Sequence, residues 1–109
     1  MATLFKNKVV NNIGVLPVEI YQTDASTRAT VIGLSLTNLT ASFVYVDVMI
    51  QDDTSITGYY IKDTLLPANT SLRVVSTGEK LILAPENKIS VRSSLDDSLD
   101  VVMSYVEVV

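Results

Sequence analysis

The residues of this 109-residue chain with the widest chemical reach are its carboxylates. Asp47 and Glu107 stand inside alternating apolar runs, where two carboxyl groups facing one another across a cleft would suit glycoside hydrolysis. No tryptophan accompanies them to make a sugar platform. Asp47 therefore reads more simply as a polar residue on an outer face, or as the partner of a Lys or Arg on a neighbouring strand or subunit. Asp52-Asp53 and Asp96-Asp97-Ser98-Leu99-Asp100 are acidic loop groups, and flexible loops rich in oxygen suit calcium. Neither has the ligand spacing and glycine of an EF-hand. They are expected to be solvated turn residues, with Asp96 or Asp97 bonding nearby backbone, and to hold at most a weak calcium ion.

The rest of the catalytic repertoire is missing. The chain has no histidine, the commonest general base and metal ligand, and no cysteine to form disulfides, thiolate metal sites or a nucleophile. Serine without histidine cannot build a Ser-His-Asp arrangement, and no Ser-x-x-Lys spacing occurs. The glycines at 14, 33, 58 and 78 are isolated, which fits turns, bulges or close backbone approach rather than a phosphate loop. Neither enzymatic activity nor a cofactor is expected.

Composition narrows the partners. With 48% apolar and 18% charged residues the chain should pack into one hydrophobic core. Its net charge is -4, and its eight basic residues are scattered from Lys6 to Arg92, which argues against nucleic acid. No apolar stretch approaches the roughly 18 residues of a membrane span. Residues 1–13 lack the apolar core of a signal peptide, so neither export signal nor membrane anchor is expected.

The elements that must position these groups are strands. Apolar residues recur with period two: Val44, Val46, Val48 and Ile50 point one way, while Phe43, Tyr45, Asp47 and Met49 point the other. Strand-like runs cover 15–22, 29–37, 43–51, 58–63, 71–75, 80–83, 89–93 and 99–108, with turn residues between them. This predicts an all-β, single antiparallel two-sheet sandwich, immunoglobulin-like or jelly-roll-like, over residues 14–109, with residues 1–13 as an N-terminal arm. Hairpins are expected between 29–37 and 43–51, and between 71–75 and 80–83 through Ser76-Thr77-Gly78-Glu79. Of the adjacent Tyr59 and Tyr60, one ring should enter the core and one face outward. Asn38-Leu39-Thr40 and Asn69-Thr70-Ser71 fit the glycosylation pattern and read as chance matches in turns.

Two strands are apolar on both sides. On the last, Val101, Met103 and Tyr105 share one face and Val102, Val106 and Val108 the other; on 43–51 the second face carries Phe43, Tyr45 and Met49. A sandwich normally turns a polar face to water, so a doubly apolar strand implies a cover. The expected cover is a protein interface built from Phe43, Tyr45, Met49, Met103 and Tyr105, with Leu4 and Phe5 of the arm, in a homo-oligomer. The arm would be anchored on its own domain or on a neighbour.

The runs Gly58-Tyr59-Tyr60-Ile61-Lys62-Asp63, Leu66-Pro67-Ala68-Asn69-Thr70-Ser71-Leu72 and Gly78-Glu79-Lys80-Leu81-Ile82-Leu83-Ala84-Pro85 carry a resemblance. It continues through Ile89-Ser90-Val91-Arg92-Ser93-Ser94 and Leu99-Asp100-Val101-Val102-Met103-Ser104-Tyr105-Val106-Glu107. The pattern resembles small β-sandwich virion structural proteins of tailed bacteriophages, of the cyanophage and marine myophage type, over roughly the last two-thirds of the chain. The resemblance implies a virion component bound to capsid, neck or tail proteins, such as a capsid decoration (cement) protein, with no catalytic residues. The alternative is a host-adsorption module that binds glycans, with Tyr59 or Tyr60 in a groove.

Overall fold

The computed structural model describes residues 2–76 and 78–109. Met1 of the arm and Thr77 of the expected 76–79 turn lie outside the described residues. The strands are β1 (Thr3–Ile13), β2 (Val18–Gln22), β3 (Arg28–Asn38), β4 (Val44–Gln51), β5 (Thr57–Leu66), β6 (Ser71–Val75), β7 (Leu81–Leu83), β8 (Lys88–Ser93) and β9 (Leu99–Val108). One sheet has the order β1-β9-β3-β6, with β7 also pairing to β3, and the other has the order β2-β8-β4-β5. The architecture is the expected antiparallel sandwich.

The pairing decides its topology. β1 pairs with β9, β2 with β8, β3 with β6 and β7, and β4 with β5. The two halves of the chain thus form one long antiparallel ribbon closed at residues 52–56. Rolling that ribbon sends alternate pairs to opposite sheets, which is a jelly roll. An immunoglobulin sheet would instead set its first two strands side by side.

Both expected hairpins are corrected by this topology. β3 and β4 lie in different sheets, so residues 39–43 cross the sandwich instead of turning back within a sheet. β6 and β7 do not pair with each other: both lie along one edge of β3, opposite Leu34–Thr37 and Ala29–Val31 respectively. The physical reason is satisfied backbone at the crossing. The buried Asn38 donates from its amide to the carbonyls of Ser42, Leu66 and Pro67, and its Oδ1 accepts from the Thr40 amide. Asn38 therefore holds the corner between sheets and has no free amide for a glycan.

The arm is strand β1, paired along β9 of its own chain, and Ala2 and Val109 exchange backbone hydrogen bonds of 3.1 and 2.9 Å at its end. Its far end is fixed by Ile13, which is fully buried. Just beyond, Gly14 lies so close to Asp96 that a Cβ would stand 2.5 Å from the Asp96 carboxylate oxygen. Asp96 accepts from the Val15 amide there, a contact between distant segments rather than the local turn expected of it.

The core is supplied by alternate residues of the central strands: Val31, Leu34 and Leu36 of β3, Val44, Val46 and Val48 of β4, Ile89 and Val91 of β8, and Val101, Met103 and Tyr105 of β9. All are shielded between the sheets, where burial of each branched side chain contributes about 1.5–3 kcal/mol.

Candidate protein-interaction surface

Asp47 and Glu107, the two strand carboxylates weighed as a catalytic pair, are already committed within the chain. Asp47 of β4 and Glu107 of β9 lie in different sheets, so they do not face one another across a cleft. Asp47 is buried, its Oδ2 2.7 Å from Nε of Arg92, which β8 places directly across the strand pair. Its Oδ1 accepts from the amide of Asp63, which sits at φ 47° in an irregularity of β5. Burial alone would push the Asp47 carboxyl up; the Asp63 amide and the Arg92 guanidinium outweigh it and hold the group below its usual value.

Glu107 forms the second cluster. Its Oε1 lies 2.8 Å from Nζ of Lys6 on β1, and the Tyr21 hydroxyl of β2 donates to Oε2. The Tyr21 and Tyr105 rings pack beside them at 4.4 Å. The hydrogen bonds from Lys6 and Tyr21 hold the Glu107 carboxyl below its usual value, while burial and Glu107 push the Tyr21 hydroxyl well up. The cluster ties β1, β2 and β9 together. Among the described residues no buried side-chain nitrogen or oxygen lacks a hydrogen-bond partner. Nor does any group of three His, Cys, Asp or Glu among them converge to hold a metal.

The seven residues expected at an interface divide. Met103 and Tyr105 are 0% and 2% exposed, and Met49 is 8% exposed. Met103 and Tyr105 belong to the core because the inward face of β9 meets the opposite sheet. Met49 points outward but sits on a central strand between Ser90 and Tyr59. None of the three is available at the surface as drawn from the sequence. Leu4, Phe5, Phe43 and Tyr45 are exposed, Phe5 by 79%. Phe43 and Tyr45 stack edge to face at 5.7 Å at one end of the β2-β8-β4-β5 sheet, beside Leu65, which pairs with Tyr45.

Sequence reasoning missed the outer face of the β1-β9-β3-β6 sheet as one continuous surface. Register places Val9 opposite Val102, and Phe5 opposite Val106, which in turn pairs with Thr30 and through it with Ile82. Phe5, Val9, Val102, Ile32 and Ile82 are all exposed there. The alternation of β9 signalled Val102 and Val106, but the alignment with β1 and β7 needed the fold. Tyr59 and Tyr60 are both exposed, contrary to the expectation that one enters the core, because β5 is an irregular edge strand. Nζ of Lys62 lies 4.5 Å over one face of the Tyr59 ring, within cation–π range.

No family model matches the sequence. No curated protein matches it either. Solved structures do. A chain of Bacillus endospore appendages, described as a novel family of disulfide-linked pili, superimposes with a TM-score of 0.57 over 96% of this chain and 86% of its own length, at 6% identity. A chain of the T13 viral particle of infectious bursal disease virus gives a TM-score of 0.55 over 96% of this chain at 9% identity. A chain of the VP2 subviral particle of that virus gives 0.54, also at 9% identity. This chain spans 30% and 32% of those two viral chains. At such identities the likeness establishes a shared fold.

Proposed function

We propose that this chain is a structural subunit of a virion, acting by protein–protein packing, as a capsid decoration or a neck or tail component of a tailed-phage particle. The observation that carries the reading is the distribution of spent and unspent groups. Asp47 and Glu107 are both neutralised inside the chain, whereas Phe5, Val9, Phe43, Tyr45 and Val102 stand exposed on the two outer faces. Contiguous exposed apolar surface of this kind marks binding to other proteins. The fold supports the reading, since chains of a virus particle and of a pilus share it. The absence of cysteine means that copies of this chain would join without the disulfides named for those pili.

The test is the protein content of purified particles. The chain should appear at a fixed stoichiometry to the major shell or tail protein by quantitative mass spectrometry, and its absence would overturn the proposal. A Phe5→Asp variant should be incorporated less; unchanged incorporation would remove β1 from the interface. The glycan-binding alternative has only the exposure of Tyr59 and Tyr60 in its favour, and Lys62 lies over one face of the Tyr59 ring.

A further inference from the structure

The outer face of the β1-β9-β3-β6 sheet has the shape and charge of a surface that meets its own copy. β1 and β9 are 11 and 10 residues long. At about 3.3 Å per residue and about 4.8 Å between strands, four strands present roughly 700 Å². A standard interface takes about 800 Å² from each partner, so this one face nearly suffices.

Its relief is self-complementary. An irregularity in the β3–β9 pairing between Val31 and Gly33 leaves Ile32 raised and exposed near the middle of the face. A hollow lies on either side. One, of about 670 Å³, is bounded by Phe5, Asn7, Ile32 and Ser104, with Lys6 and Lys8 at its β1 edge. The other, of about 550 Å³, is floored by Gly33, Ser35 and Ser104 and edged by Arg73. A knob beside a hollow floored by small side chains is what an isologous contact needs, because each copy supplies both halves.

The charges agree. A chain of net charge -4 repels its copies in general. Along β1 and β9 the middle rows of this face, Phe5–Val106, Asn7–Ser104 and Val9–Val102, are uncharged, and the nearest charge across them is Arg73, opposite Ser35 at the β6 edge. Arg28, paired with Val108, lies at one end, and Asp100, paired with Thr37, at the other, each four residues along β9 from Ser104.

We propose that two copies of this chain stack through this face about a two-fold axis that crosses the strands over Ser104. The axis reverses the strand direction. It sets Phe5 over Val9 of the second copy, Val106 over Val102, and Arg28 over Thr37, one strand from Asp100, while Ile32 enters the hollow floored by Gly33 and Ser35. The dimer rests on the proposed packing role and specifies its first partner. The β2-β8-β4-β5 sheets then become the outer layers of a four-sheet stack.

Because the chain has no cysteine, Ser90→Cys takes a single spin label on the opposite outer face, away from the contact. Stacked sheets lie about 10 Å apart, so labels on the two outermost layers should be separated by about 30 Å or more. Contact through the other sheet would bring them to about 10 Å. Val102→Lys, at an exposed position, should keep the circular dichroism of the parent and weaken dimerisation at least about tenfold in sedimentation equilibrium. A short interlabel distance, an unaltered dimer in the Val102 variant, or a monomer at every concentration overturns the inference. The packing role is judged separately by particle content, so a monomeric chain that is nonetheless found in particles removes only the dimer.

Discussion

The two outer faces of the sandwich cover the same core and differ in how they use polar groups. On the β2-β8-β4-β5 sheet, charge is drawn into the face: Asp47 is sunk between Arg92 and the Asp63 amide, and Lys62 lies on Tyr59. Exposed apolar and aromatic residues there fall into two groups, Phe43, Tyr45 and Leu65 at one end and Tyr59 and Tyr60 farther along β5. On the β1-β9-β3-β6 sheet the middle of β1 and β9 presents no charge outward, Arg73 stands at the β6 edge, and apolar side chains run across strands from Phe5 to Ile82. Its one strong polar cluster, Lys6–Glu107–Tyr21, lies on the inner side and fastens β1 to the body. A face whose charges are neutralised by its own neighbours is finished as a surface. A face left apolar still has surface to bury, which is what the packing role proposed above uses.

The sharpest way to break this comparison uses neighbours on β9 that point to opposite sides. Met103→Ala should cost about 2–5 kcal/mol, because Met103 is fully buried and its removal leaves a cavity. Val102→Ala should change stability by about 0.5 kcal/mol or less in dilute solution, where the outer face is wet. Urea unfolding of both variants checks the pair. Equal losses would mean that the outer face is already covered within the chain.

The same two residues show how much was legible. Period-two alternation gives β2 to β9 to within a few residues, and 71–75 and 99–108 agree with β6 and β9 at both ends, whereas Thr3–Ile13, read as an arm, is strand β1. It also separates the two faces of each strand, because a strand side chain can point only one way or the other. It does not say which face meets the other sheet. Met103 and Val102 are equally apolar in kind, and only the partner sheet decides between them. Strand pairing was illegible for a related reason. Short loops suggest hairpins, but residues 39–43 cross between sheets because Asn38 satisfies the backbone at the corner, a role that its residue type does not announce. The commitment of Asp47 to a cation on a neighbouring strand was legible as one of its readings. Lys6 and Tyr21 as partners of Glu107 were not, since they are 101 and 86 residues away in sequence.

The next largest effects test the polar clusters. Glu107→Ala strands the buried Tyr21 hydroxyl and frees β1, and should cost about 1–3 kcal/mol. Amide exchange should quicken along Thr3–Val9 more than along β5. If β1 keeps its protection, the Lys6–Glu107–Tyr21 contact is not what fastens it.

A smaller effect is expected in acid. Glu107 and Asp47 are both held below their usual carboxyl values, so the unfolded chain takes up these protons first as pH falls. The stability they contribute is complete above about pH 5 and is lost as pH falls through the ordinary carboxylate range near 4 toward their folded values. Thermal melts between about pH 5 and 2 should therefore be less steep in pH for Glu107→Gln and for Asp47→Asn than for the parent. An unchanged slope in either variant would show that its cluster does not favour the charged carboxylate.

The smallest expected change in stability concerns Phe43. It is 59% exposed and touches Tyr45 edge to face, so Phe43→Ser should cost no more than about 1 kcal/mol in urea. If copies stack through the β1-β9-β3-β6 sheet, Phe43 lies on an outer layer of the stack and takes no part in dimerisation. The variant should then dimerise as the parent does while entering particles less well, because the Phe43–Tyr45 end is the apolar surface that remains for a different partner. Val102→Lys should show the reverse order, losing the dimer first. A Phe43→Ser variant that lost the dimer would place the copy–copy contact on the charged face, where Arg92 and Asp47 would have to be covered by a second chain, and the contrast between the two faces would be inverted.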